Sequence, residues 1–155
     1  MEMGLTGEGR VDDSVWIIKT HYPERIGRTT MFADRCIVIV RNPLDAIFSL
    51  FNMVGTTSHN LSLKTNVIEY ATQQSEIFSD FIRQEVSVLY DFHEYWLRAA
   101  GNLPVHFVTY ESLLVDPAGA MTSMLKFLLN IESLEGTHVE KLVHQFCRAD
   151  QVNTA

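Results

Sequence analysis

The sequence predicts an α/β fold built on a parallel β-sheet. Residues 36–40 form a continuously apolar, β-branched run, and residues 105–109 lack the alternation of a surface strand. Both patterns are typical of strands that are covered on two faces. A third strand is predicted over residues 14–19, and helical periodicity separates the three. The resulting βαβαβ order predicts parallel strands joined by right-handed crossovers.

The composition restricts the class of protein. The 155 residues are 46% hydrophobic and 20% charged, which indicates one globular domain or part of one. A net charge of −7 argues against a nucleic-acid partner, because a phosphate backbone needs a basic surface. A local pocket for one nucleotide remains compatible with it. No apolar run approaches the ~20 residues that span a bilayer, so no membrane segment is expected in this chain. Two cysteines do not decide the compartment.

The chain divides into three predicted parts. Residues 1–13, rich in glycine and charge, are expected to form a flexible leader, and residues 148–155 a frayed tail. Residues 14–147 form the predicted domain.

The junction after residue 40 is the best-specified helix start. Asn42 can cap the helix, Pro43 can occupy its first position, and Asp45 is placed to complete a capping box. The helix is predicted over residues 42–54. Its expected core face consists of Ile47, Leu50, Phe51 and Val54.

The same junction is a candidate anion site. Arg41 lies beside the positive end of the helix dipole, and Ser49 lies four residues after Asp45 on one helix face. Guanidinium and hydroxyl groups suit a phosphate. The alternative is that Arg41 pairs with Asp45 while Ser49 bonds back to a helical carbonyl.

Further helices follow a loop at residues 55–62. Residues 66–100 are predicted as two helices that break near residues 83–87 and end at Gly101 and Asn102. Pro117 is expected to open a helix over residues 118–129, and a last helix is predicted over residues 137–147. The core-facing residues of the helix at 118–129 are expected to be Met121, Met124, Leu125 and Leu128.

Three other side chains could carry chemistry. His21 follows the end of the first predicted strand, where open α/β sheets place ligands, and imidazole titrates in the range of a general base. Lys19, two residues before His21, would point to the same side of the strand and could supply positive charge to a transferring group. A strand-end histidine is also commonly a simple surface residue, and Tyr110 could simply be core. His138 and His144 do not share a helix face, so no metal is expected.

Three segments together carry a family resemblance. They are Lys19-Thr20-His21, the strand followed by Arg41-Asn42-Pro43-x-Asp45 and Ser49, and Tyr110-Glu111-x-Leu113 with Asp116-Pro117. In order and spacing the chain resembles sulfotransferases over roughly residues 14–130. These enzymes take their sulfuryl group from PAPS, 3′-phosphoadenosine 5′-phosphosulfate.

The resemblance implies a three-layer α/β/α, P-loop NTPase-like sulfotransferase fold with PAPS as co-substrate and no metal. It implies transfer to a hydroxyl or amine of an acceptor, which could be a small molecule, a carbohydrate or a protein. Arg41 and Ser49 would hold the 3′-phosphate, and Tyr110 would lie near the nucleotide. His21 would be the catalytic base, with Lys19 assisting it.

The chain departs from the family pattern in two places. Nothing matches the upstream Pro-Lys-Ser-Gly-Thr-Thr loop that holds the 5′-phosphosulfate, or the C-terminal Arg-Lys-Gly segment. The fold is therefore expected to be incomplete, with truncation at both ends. The alternative is a non-catalytic nucleotide-binding or interaction fragment. A kinase-like domain would need a Gly-Lys-Ser/Thr motif that is absent. Cytosolic and Golgi-membrane WSC-domain types both stay open, as does the compartment.

Overall fold

The computed structural model describes residues 14–21, 33–58, 69, 72–73 and 75–152. The chain forms two compact units, Met1–Asp34 and Arg35–Ala155, and each is described by itself. The predicted leader at residues 1–13 lies outside the described residues, as do parts of the 55–62 loop and of the 66–74 segment.

The second unit has a mixed α/β architecture. Its elements in chain order are β1 (Cys36–Val40), α1 (Pro43–Thr56), α2 (Ser75–Ala99), β2 (Val105–Thr109), α3 (Tyr110–Val115), α4 (Pro117–Leu129) and α5 (His138–Val152). The strands pair in parallel, from Cys36 opposite Val105 to Val40 opposite Thr109. Parallel pairing requires a long crossover, which α1 and α2 supply. The predicted α/β class and both of these strands are confirmed.

The third predicted strand is wrong. Residues 14–19 contain no strand, and the side chains of Trp16 and Ile17 are 70% and 60% exposed. A strand exists only where a neighbouring strand accepts its backbone hydrogen bonds. In the described part of the chain the sheet therefore has two strands, and the βαβαβ order predicted from residues 14–19 is not formed.

The predicted break in α2 is also wrong. The helix runs without interruption from Ser75 to Ala99. Residues 83–87 contain no glycine or proline, and their polar side chains lie mostly on the exposed side of the helix. Arg83 pairs there with Asp80 at 2.8 Å. The predicted end is confirmed, because a turn follows at residues 100–102.

Aromatic packing joins α1 to α2. Phe51 of α1 is buried, and its ring centroid lies 4.7 Å from that of Phe78 and 5.3 Å from that of Phe81. Ile47 is buried beside it in α1, whereas Val54 is 54% exposed. The predicted core face of α1 is thus correct in its first turns and wrong at its end.

The C-terminal helices begin at polar caps. Asp116 Oδ1 accepts a hydrogen bond from the Gly119 N–H at 2.9 Å, and Pro117 occupies the first position of α4, as predicted. Met124 is buried, but Met121 is 37% exposed. Helix α5 runs from His138 to Val152, beyond its predicted end at residue 147. No described helix is both long and apolar enough to cross a membrane.

Candidate functional site

Two predicted site residues meet at the carboxyl edge of the sheet. Val40 and Thr109 are paired, so the residues that follow them, Arg41 and Tyr110, lie side by side. The Arg41 guanidinium carbon is 4.6 Å from the centroid of the Tyr110 ring. This distance is typical of a cation–π contact, which holds the guanidinium against the ring without using its N–H donors.

Arg41 keeps hydrogen-bonding capacity that the protein does not use. Its Nε is buried and has no hydrogen-bond partner in the described part of the chain. The alternative in which Arg41 pairs with Asp45 is not formed among these residues. A buried donor without an acceptor is costly, so this group calls for a partner that the described residues do not supply.

The predicted cap of α1 is confirmed, but its partner differs from the prediction. The Asn42 Oδ1 accepts from the Leu44 N–H at 3.0 Å, and Pro43 opens the helix. The Asn42 N–H donates not to Asp45 but to Glu111 Oε1, at 2.9 Å. The expected capping box is therefore replaced by a contact between residues 69 positions apart in the sequence.

Glu111 is a site residue that sequence reasoning missed. The hydrogen bond from the Asn42 N–H is the main cause that lowers its pKa, and the positive charge of Arg41 contributes less. The carboxylate is therefore ionised at neutral pH. The available signal was its position directly after Tyr110, in the motif that carries the resemblance.

Ser49 stands apart from this contact. Its side chain is exposed on α1, and its hydroxyl forms no hydrogen bond with the described residues. The predicted alternative, a bond back to a helical carbonyl, is thus not seen. Ser49 is bonded neither to Arg41 nor to Tyr110 in this structure.

The other two candidates, His21 and Lys19, belong to the first unit, where both side chains are exposed. Their assignment as base and helper rests on the resemblance. Among the described residues, no group of histidine, cysteine and acidic side chains is arranged to hold a metal ion.

The fold is an α/β domain. At the carboxyl edge of its sheet, Arg41 lies beside the N-terminus of α1, and this arrangement suits anions. The family model of the sulfotransferase domain matches residues 8–153. The chain therefore belongs to the sulfotransferase-domain family, whose general reaction is sulfuryl transfer. Searches of curated proteins and of solved structures gave no match.

Proposed function

We propose that the chain is a PAPS-dependent sulfotransferase domain in which Arg41 grips the 3′-phosphate of the nucleotide. The observation that carries this proposal is the Arg41 Nε, a buried donor without an acceptor at the carboxyl edge of the sheet. We further propose that the complete fold is the three-layer, P-loop-like arrangement implied by the resemblance.

The chemistry of the guanidinium supports a phosphate ligand. Nε and one terminal nitrogen of arginine form a fork that matches two phosphate oxygens. The contact with Tyr110 keeps the guanidinium over the ring but sets no hydrogen-bond direction, so it leaves the group free to turn in its own plane. In the proposed complex such a turn presents the buried Nε to a phosphate oxygen. The positive end of the α1 dipole lies next to Arg41 and also favours a negatively charged ligand.

Ser49 and Tyr110 complete the proposed nucleotide contacts. The exposed Ser49 hydroxyl can donate a neutral hydrogen bond to the phosphate. Tyr110 as a whole residue is 37% exposed, so part of its surface is open to the nucleotide while its ring supports Arg41.

The proposed reaction transfers a sulfuryl group in line. His21 takes the proton of the acceptor hydroxyl or amine as the acceptor atom bonds to sulfur. The bond between sulfur and the bridging oxygen of the 5′-phosphate breaks, and Lys19 stabilises the charge left on that oxygen. The products are the sulfated acceptor and 3′-phosphoadenosine 5′-phosphate. The acceptor is a small molecule, a carbohydrate or a protein.

Calorimetric titration tests the nucleotide site. We expect 3′-phosphoadenosine 5′-phosphate to bind at least about tenfold more tightly than 5′-AMP, since the 3′-phosphate adds charge-assisted hydrogen bonds. Equal dissociation constants for the two nucleotides would refute the proposed site.

A further inference from the structure

Two neighbouring residues of α3 contact two neighbouring residues of the turn between β1 and α1. The Tyr110 ring lies against Arg41, and the Glu111 carboxylate accepts the Asn42 N–H. We propose that Glu111 is a positioning residue, whose bond to the Asn42 N–H fixes this turn and so holds Arg41 over Tyr110. The inference rests on the proposed function, because Glu111 positions Arg41, the residue that is proposed to bind the 3′-phosphate.

The hydrogen bond from the Asn42 N–H to Glu111 replaces a local bond to Asp45 within the same helix. A helix-capping residue leaves its own N–H without an intrahelical acceptor, and the third helical residue commonly supplies one. That residue here is Asp45, yet the acceptor is Glu111. A bond to Asp45 would stabilise α1 alone, whereas the bond to Glu111 ties the ends of both strands together.

The charge of Glu111 is directed at the backbone. No ion pair joins Glu111 to Arg41 in the part of the chain that the structure describes, although Arg41 affects the carboxylate through space. Glu111 therefore occupies none of the guanidinium donors of Arg41. Because a carboxylate also repels phosphate, an effect of Glu111 on charge alone would weaken binding, whereas an effect through positioning would strengthen it.

Three variants separate these two effects. Glu111→Gln keeps an oxygen acceptor but removes the charge, and Glu111→Ala removes both. Glu140→Ala is the matched control, since Glu140 Oε2 likewise accepts a backbone N–H, that of Gly136, at 2.9 Å. The measured quantity is the 3′-phosphate ratio, defined as the dissociation constant of 5′-AMP divided by that of 3′-phosphoadenosine 5′-phosphate.

We expect Glu111→Ala to lower the 3′-phosphate ratio about tenfold, and Glu111→Gln to keep it within about threefold of the parent. Glu140→Ala should leave the ratio unchanged. Circular dichroism checks that each variant is folded. If Glu111→Ala does not fold, Glu111→Asp, whose carboxylate is one methylene shorter, takes its place with the same expected loss.

The outcomes distinguish this proposal from the proposed function. A parent ratio near one refutes the 3′-phosphate site and the positioning role together. A high parent ratio that Glu111→Ala preserves or raises refutes the positioning role alone. A high parent ratio that falls in Glu111→Ala and is retained in Glu111→Gln supports both.

Discussion

Val40 lies opposite Thr109 at the carboxyl end of the parallel sheet, and this pairing sets Arg41 against Tyr110. The register of the sheet thus decides which side chains meet at the candidate site. A shift of one residue would move the side chains of a strand to the other face and separate the two groups.

Removal of the Arg41 guanidinium should abolish most of the 3′-phosphate selectivity. We expect Arg41→Ala to weaken 3′-phosphoadenosine 5′-phosphate binding by about 10- to 100-fold, because charge-assisted hydrogen bonds are lost. Arg41→Lys, which keeps the charge without the fork, should be intermediate. Calorimetry measures both. Arg83→Ala, which removes an exposed arginine paired with Asp80, is the control and should bind as the parent does.

The ring of Tyr110 should matter more than its hydroxyl. Tyr110→Leu removes the cation–π contact and should weaken binding of the same nucleotide by about two- to fivefold. Tyr110→Phe keeps the ring face and should lie close to the parent. If the two variants bind equally well, the ring does not support Arg41.

His21 should affect turnover and not nucleotide binding. In an active sulfotransferase that contains this domain, His21→Ala should lower kcat by about 10²- to 10⁴-fold, because general-base catalysis is lost. The dissociation constant of 3′-phosphoadenosine 5′-phosphate should not change. A variant with parental kcat would remove His21 from the proposed mechanism.

Glu111 should make the stability of the domain depend on acid pH. Its pKa is lower in the folded protein than its usual value, so its contribution is present above the unfolded-state pKa. That contribution is lost as the pH falls through the lower, folded-state pKa. Urea unfolding from neutral to acid pH should therefore show a smaller loss of stability in Glu111→Gln than in the parent. Parallel curves for the two proteins would contradict the assignment.

The aromatic contact between α1 and α2 should be the main support of the α1 helix. Phe51→Ala removes a buried ring that touches Phe78 and Phe81, and should cost about 3–5 kcal/mol in the free energy of unfolding. Val54→Ala, at an exposed position of the same helix, should change it by less than about 0.5 kcal/mol. Denaturant titration compares them, and similar losses would argue against the observed packing.

Local chemistry was predictable from the sequence, and long-range partnership was not. The Asn42 cap and Pro43 start of α1 were correct because a cap involves residues that are adjacent in the chain. The predicted acceptor of the Asn42 N–H was wrong, because the observed acceptor, Glu111, follows the other strand and is distant in the sequence. The strand at residues 14–19 failed for the same reason, since an apolar pattern does not supply a pairing partner.

The site showed the same limit. Arg41 and Tyr110 were each named from motifs, but only the sheet register shows that they touch. Ser49 and Arg41 are predicted to hold one phosphate between them, and this stays a prediction. The Arg41 Nε is buried without an acceptor, and this depends on three-dimensional packing that no spacing pattern encodes.

Nuclear magnetic resonance of the Arg41 side chain tests the central claim most directly. In ¹⁵N-labelled protein, the Arg41 Nε–H resonance can be assigned by its loss in Arg41→Lys. We predict that this resonance shifts on saturation with 3′-phosphoadenosine 5′-phosphate and stays in place with 5′-AMP, since only the former carries the 3′-phosphate. Saturation by the first nucleotide with an unmoved Nε–H resonance would contradict Arg41 as the ligand of the 3′-phosphate.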